Sequence, residues 1–522
     1  MRSRHSLRVR SSDRTSLPRD VALAAFVAVG TLACSGTHAS STASASSASV
    51  ASPTERGATS PALPPLASSA IEFDAWFTGR TLRCDYVHTG DAGNEHVALA
   101  GWRLEGEWPG SRTQLVDDSG AGKYRCDVLD ASGTRVLWSR GFCSIYGEWE
   151  TTGEAKTAWR AFEESQRFPE PRASVRLRLA KRGDDDAFHA IFETTIDPTS
   201  RFVDRSPILP RGEVIPLLES GPAAVKVDLL VLAEGYTSEG RAKFLADVKR
   251  LTDVMFATEP YKSRRADFNV RALHVPAAAA GISNPRKDVW RSSPLACSFN
   301  AFDSDRYVLT FADRNLREIA AQAPYDALIL LCDERKYGGG GIYNLWATVT
   351  ADTEPAAYVF VHEFGHSFAG LADEYYTSQV AYESFTKKGV EPWEPNVTAL
   401  LDPARLKWRD LVAAGTPLPT PWSQAAYDAM DLAYQAKRKQ LIDARAPEEA
   451  SEALMREVKV TSSAALRAEP HYGRVGAFEG AMYEAKGLYR PEADCIMFTR
   501  NPTNFCRVCE RALSRVIDRF TR

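Results

Sequence analysis

Histidine is scarce in this chain, nine residues in 522, so any histidine pattern that does occur carries weight. Net charge is small as well. Its 64 basic and 67 acidic residues leave −3, and no basic stripe with interleaved aromatics is present, which argues against nucleic acid as a partner. Long hydrophobic runs are missing: the uncharged stretch from Val21 to Ala33 is too short to span a bilayer as a helix. The glycines Gly338 to Gly341 are not followed by the G-K-[ST] of a phosphate loop, which removes nucleotide binding there. What the chain has is length, and 522 residues are too many for one core, so at least two folded domains are expected.

The start reads as an export signal. Arg2, Arg4, Arg8, Arg10, Arg14 and Arg19 precede the short apolar run, giving a signal peptide over residues 1–33. Its end, Thr31-Leu32-Ala33-Cys34, resembles the lipobox of bacterial lipoproteins, although leucine is commoner than threonine at the first of these positions. That makes Cys34 a lipidation site, with cleavage near Ala33 without lipid as the alternative. Residues 34–70 are dominated by Ser and Ala, with Pro53, Pro61, Pro64 and Pro65. They cannot bury a core and read as a tether. The expected location is outside the cytoplasm, with membrane contact only through the lipid.

Eight further cysteines group as Cys84, Cys126 and Cys143; Cys297 and Cys332; Cys495, Cys506 and Cys509. Export permits disulfides, but the grouping leaves their connectivity open. Cys506-x-x-Cys509 with Cys495 supplies part of a structural zinc site. A fourth ligand is missing locally, so disulfides or free buried thiols are the expectation.

Residues 71–205 carry strand signals. Val175-Arg176-Leu177-Arg178-Leu179 and Tyr124-Arg125-Cys126-Asp127-Val128 alternate, and Asp130 to Gly133 reads as a hairpin turn. A β-sandwich is predicted, with His88, His96 and His189 as solvated surface histidines. From residue 206 strand and helix alternate, which predicts an α/β domain over 206–522. Val225 to Leu232, Asn269 to Val275 and Asp326 to Cys332 read as strands. Thr237-Ser238-Glu239 opens a helix whose Phe244, Val248, Leu251 and Met255 share one face. Residues 423–466, divided by Pro447, read as a helical hairpin inserted in that domain. The glycines read either as a flexible entry to an edge strand in the stretch after them, to which an extended peptide can add, or as a plain mobile loop.

Against the scarcity of histidine stands His362-Glu363-Phe364-Gly365-His366, a pattern expected by chance in roughly one such chain in a hundred. Two histidines four apart on a helix share a face and can grip one Zn²⁺ ion, with Glu363 placed to act on a water. The apolar approach Ala356 to Val361 suits a buried helix, and Gly370 suits a left-handed helix end. Metzincin-type metallopeptidases write H-E-x-x-H-x-x-G-x-x-H. Here Gly370 and Asp373 come one position later, and Ala372 stands where the last metzincin ligand would be. Asp373 is the expected third ligand, with Glu374 and His471 as alternatives. Met497 is the candidate for a methionine turn beneath the metal. Thr499 occupies the place where some metzincins carry a tyrosine, so Tyr489 is the candidate oxyanion partner.

The run from His362 to Tyr375 resembles the signature of bacterial IgA-type zinc metallopeptidases. Glu234-Gly235-Tyr236-Thr237, Tyr337 to Asn344, Phe478 to Ala481, Gly487 to Pro491, Cys495 to Met497 and Phe505 to Cys509 resemble the same family. Gly147-Glu148-Trp149 and Thr152 to Lys156 are similar to its N-terminal β-domain. The resemblance covers roughly residues 71–522 without the 423–466 hairpin. It implies a multidomain protein, a β-sandwich followed by an α/β metzincin-like zinc peptidase domain, acting on protein or peptide substrates. His362, His366 and Asp373 would hold the zinc and Glu363 would serve as general base. It does not imply that immunoglobulin is cut. The rival readings are a surface-anchored adhesion lipoprotein with a vestigial zinc site, and a zinc amidase acting on cell-wall peptides.

Overall fold

The computed structural model describes residues 60–66, 71–377, 389–501 and 504–522. The expected signal segment, Cys34 and most of the expected tether lie outside them. Residues 60–66, assigned to the tether from sequence, run along the N-terminal domain instead: Leu63 N–H donates to Phe188 O at 2.7 Å.

A short helix α1 (Phe73–Trp76) leads into β1 (Phe77–Gly90), β2 (Glu95–Glu107), β3 (Tyr124–Leu129) and β4 (Val136–Phe142). After α2 (Ile145–Trp149) come β5 (Arg160–Pro171), β6 (Val175–Arg182), β7 (Phe188–Ile196) and the two-residue β8 (Val203–Asp204). They form two four-stranded sheets, ordered β5-β1-β2-β8 and β4-β3-β6-β7. Leu82, Tyr86 and Trp102 of the first sheet share one core with Val128, Trp138 and Leu177 of the second. The strand-rich expectation for this region is met. One detail differs. The alternation in β3 predicts one solvated face, yet Arg125 and Asp127 are buried. They pair at 2.8 Å, and Arg178 of β6 reaches Asp127 at 2.7 Å. An ion-paired ladder therefore occupies the face that alternation assigns to water.

His88 also departs from expectation. It is buried, stacks on Tyr146 with ring centroids 4.1 Å apart, and bonds Glu164 at 2.9 Å and Glu95 at 2.7 Å. Alternation along β1 points it inward, and its two acidic partners lie on the neighbouring strands β5 and β2, brought beside it only by the pairing of the sheet. His189 does stay near the surface, beside Asp185.

The second region is built on a six-stranded sheet. Its strands are β9 (Glu213–Leu218), β10 (Val227–Glu234), β11 (Phe268–His274), β12 (Ala327–Cys332), β13 (Gly339–Ile342) and β14 (Trp346–Thr350). The order is β13-β14-β12-β10-β11-β9, parallel at the centre with antiparallel strands at both edges. The run predicted from Val225 to Leu232 becomes β10, buried along its whole length as a central parallel strand requires. Three helices pack on one face: α3 (Arg241–Met255), α5 (Ala356–Ala369) and, at the C-terminus, α8 (Arg507–Thr521). The α3 face predicted from Phe244, Val248, Leu251 and Met255 is buried. On the other face lies α4 (Asp313–Ala320), together with Ile145, Tyr146, Trp149 and Phe162 from the N-terminal region. That region thus completes the layer behind the central sheet.

Between α5 and α8 the chain forms the predicted helical hairpin, α6 (Gln424–Asp443) and α7 (Glu448–Arg467), with Pro447 at the start of α7. A two-stranded hairpin follows, β15 (Phe478–Ala481) and β16 (Glu484–Arg490).

His88 makes a pH prediction. Burial works against its protonation, but Glu164 and Glu95 outweigh burial and lift its pKa from 6.5 to about 9. A raised folded-state value stabilises fully below pH ~6.5, and the stabilisation is lost as pH rises through about 9. Stability against thermal unfolding should therefore fall over that window, by about 3 kcal/mol at most from this group. Replacing His88 by Gln should flatten the slope. Parallel pH profiles for the two proteins would show that His88 contributes nothing there.

Candidate metal centre

The site begins with α5. Its buried approach, Val359, Phe360 and Val361, seats the helix on the sheet, and its other side carries His362, Glu363 and His366. The edge strand β13 can lie against that side only because its glycines, Gly339 to Gly341, lack side chains. A Cβ on Gly341 would stand 2.4 Å from Glu363 O and 2.8 Å from His366 Cβ. The helix ends as predicted at Gly370, in the left-handed region at φ 62°. This reversal has a second effect: Leu371 O arrives 2.5 Å from His366 Nδ1.

The other histidine is held in the same manner. His362 Nδ1 lies 3.0 Å from Ile496 O and 3.0 Å from the Tyr358 hydroxyl. With both Nδ1 atoms occupied, the two Nε2 atoms turn toward one point. They are 3.1 Å apart, and Asp373 Oδ1 stands 3.1 Å from His362 Nε2 and 3.2 Å from His366 Nε2. Three donors about 2.0 to 2.1 Å from a common zinc ion in tetrahedral directions would be about 3.3 Å apart, so the triangle fits such an ion. The charges point the same way. Burial opposes protonation of His366, but Asp373 outweighs it and lifts the imidazole to about 9. Asp373, despite its burial, is pulled well below the usual carboxylate range by the two histidines. The cluster attracts positive charge.

Glu363 is half-buried and borders the same cleft, which has a volume of about 610 Å³. Burial pushes its carboxyl above the ordinary value, with the two histidines acting in the opposite sense. Around it, the Tyr337 hydroxyl takes hydrogen bonds from Arg306 at 3.3 Å and Arg500 at 3.2 Å. Tyr375 stacks on His362 at 6.3 Å between centroids, and Arg306 reaches its hydroxyl at 3.5 Å. The Tyr483 hydroxyl donates to Asp373 Oδ2.

The structure separates the three possible third ligands. Asp373 joins the histidines, whereas Glu374 turns away into the interior, its N–H donating to Met497 O at 2.8 Å. His471 is not among the residues lining the cleft. Met497 is fully buried against α5, its Sδ 3.2 Å from where a Cβ on Gly365 would be. Tyr489 is not brought to the site. It sits on β16, whose backbone pairs with Thr398, while Tyr483, at the tip of the β15–β16 hairpin, reaches Asp373. Sequence reading passed over Tyr483 and Tyr375 because neither stands at a metzincin position. Tyr358 had a usable signal, one helical turn before His362 on the same face.

The cleft extends well beyond the ligands. Tyr434, Arg438 and Lys459 of the α6–α7 hairpin line it, as do Lys123 and Lys181 of the N-terminal region. The edge strand is the glycine run itself, β13. The stretch after it, expected at the edge, becomes the internal strand β14 because the side-chain-free glycines pair outside it, and β13 is itself partly covered. Gly339 pairs with Tyr307, and Tyr343 O accepts from Cys143 N–H at 2.9 Å.

No curated protein matches the chain. Residues 72–193 match the sequence model described as the peptidase M64 N-terminus. Residues 215–517, more than half of the chain, match the one described as IgA peptidase M64. The strand-rich region holds the first match and the α/β region with its paired histidines the second, and the chain belongs to the IgA peptidase M64 family of metallopeptidases.

Proposed function

We propose that the protein is a zinc-dependent metalloendopeptidase of metzincin-like design, acting outside the cytoplasm on proteins or peptides. The observation that carries this reading is the convergence of His362 Nε2, His366 Nε2 and Asp373 Oδ1 within 3.1 to 3.2 Å of each other, with Glu363 beside them in an open cleft. These three would hold the zinc, which supplies polarisation of the scissile carbonyl and acidification of a water. Glu363 takes the proton of that water on its carboxylate and passes it to the leaving amine. Tyr483 fixes the Asp373 carboxylate through its hydroxyl. In place of Tyr489, Tyr375 is the donor for the carbonyl oxygen, oriented by Arg306. Met497 serves as the methionine turn, its neighbour Ile496 holding His362. An extended substrate lies along the short stretch of β13 that the Tyr307 and Cys143 contacts leave unpaired.

Replacing Glu363 by Gln should leave zinc bound while casein hydrolysis falls by about 10² to 10⁴. Undiminished proteolysis would remove Glu363 from this role. Tyr483→Phe keeps the ring and loses the hydroxyl, so zinc affinity should fall by about 10- to 100-fold in a chelator competition. An unchanged affinity would make Tyr483 a bystander.

The same reading places the protein on the cell envelope through a lipid on Cys34. Palmitate fed to expressing cells should label the wild-type chain and not a Cys34→Ser variant. Equal labelling of both would rule this anchor out.

A further inference from the structure

Behind the metal triad lies a second cluster that the peptidase chemistry does not use. Cys495, Cys506 and Cys509 are buried free thiols, and Glu374 is fully buried beside them. One donor atom from each falls within 4.8 Å of all the others. Cys495 Sγ and Cys509 Sγ are 3.9 Å apart, and Cys509 Sγ is 3.3 Å from Glu374 Oε1. Sulfur and oxygen ligands of one tetrahedral zinc ion stand about 3.8 Å apart sulfur to sulfur and about 3.5 Å sulfur to oxygen. The observed separations match that geometry.

Two of the three sulfurs sit among main-chain donors. Cys495 Sγ accepts from Met497 N–H at 3.5 Å and from Cys506 N–H at 3.2 Å, and Cys506 Sγ accepts from Cys509 N–H at 3.5 Å. Cys506 caps the N-terminus of α8, where the helix dipole favours a negative sulfur. Glu374 Oε1 is held by Asn396 Nδ2 at 3.0 Å, while Oε2 is buried and, among the described residues, has no hydrogen-bond partner. A disulfide does not account for this set. It would join two sulfurs at about 2.05 Å, leave the third thiol unpaired and leave the buried Glu374 carboxylate without a cation. Three soft sulfurs and one oxygen in a closed, dry site suit structural zinc, which fills all four positions with protein ligands.

We propose that Glu374, Cys495, Cys506 and Cys509 bind a second, structural zinc ion that clamps the segment after Gly370 to the Cys495–Met497 turn and to the start of α8. Binding forms three Zn–S bonds and one Zn–O bond and releases the protons those donors carried; no electrons move. The clamp is adjacent in sequence to the first site on both sides. Glu374 follows Asp373, and Cys495 precedes Ile496, whose carbonyl holds His362.

The test counts metal and identifies its donors. Full-length protein purified without chelator should contain two zinc ions per chain, and a His362→Ala, His366→Ala variant should retain one. Cobalt exchanged into the wild-type protein, and into that variant, should give the sulfur-to-cobalt charge-transfer absorption that imidazole and carboxylate donors do not produce. A single ion in the wild-type protein and none in the variant would overturn the proposal. So would absence of the thiolate band at any metal content, or a disulfide joining two of the three cysteines in an unreduced peptide map. The cobalt spectrum of the wild-type protein decides the matter even where the variant fails to fold. Neither readout uses proteolysis, so failure of the peptidase reading leaves this test intact.

Discussion

Two main-chain carbonyls, Ile496 O and Leu371 O, hold the Nδ1 atoms of His362 and His366, and the geometry of the site depends on that restraint. An imidazole on a helix rotates about its side-chain bonds, so spacing four residues apart places two rings on one face without aiming them. The carbonyls aim them. One comes from the reversal immediately after the helix, and the other from a turn far along the chain. The convergence of His362, His366 and Asp373 is therefore a product of tertiary structure, although the three sit within twelve residues of each other.

That restraint needs a rigid frame, and the frame draws on most of the protein. Helix α5 is fixed from behind by Val359, Phe360, Phe364 and Phe368, packed among α3, α8 and the central sheet. In front of it β13 comes close enough that Gly341 has no space for a Cβ. The sheet itself is covered on its far face by Trp149, Tyr146 and Phe162 of the N-terminal region. Burial of such side chains is worth about 1.5 to 3 kcal/mol each, so the N-terminal sheets contribute to the stability of the part that carries the histidines. They also supply Lys123 and Lys181 to the cleft wall.

Much of this was legible from short-range pattern. The strand and helix order after residue 206, the end of α5 at Gly370 and the α6–α7 hairpin all followed from periodicity and turn residues, which act within a few positions. What escaped was longer in range. Strict alternation in β3 correctly assigns a strand, but it cannot reveal that Arg178 on another strand neutralises Asp127 and lets the polar face go dry. His88 was read as solvated because its partners Glu95 and Glu164 lie on different strands. Tyr489 and Tyr483 are six residues apart on one hairpin, and only the turn conformation, with φ 65° at Tyr483, decides which hydroxyl reaches Asp373. Cys495, Cys506 and Cys509 were visible as a partial metal set, and the missing fourth donor lay far upstream at Glu374.

The choice between Asp373 and Glu374 as third ligand has a physical answer. The bond from Glu374 N–H to Met497 O fixes the backbone so that the two adjacent side chains diverge. Asp373 then faces the cleft side and Glu374 the interior. An ionised carboxylate buried without a partner costs several kcal/mol, and Glu374 without a cation accordingly has its carboxyl pushed well above the ordinary range by burial and then by Cys506. A cation among the three sulfurs removes that cost where it arises. On the two proposals together, the adjacent carboxylates of Asp373 and Glu374 would each serve a different metal ion.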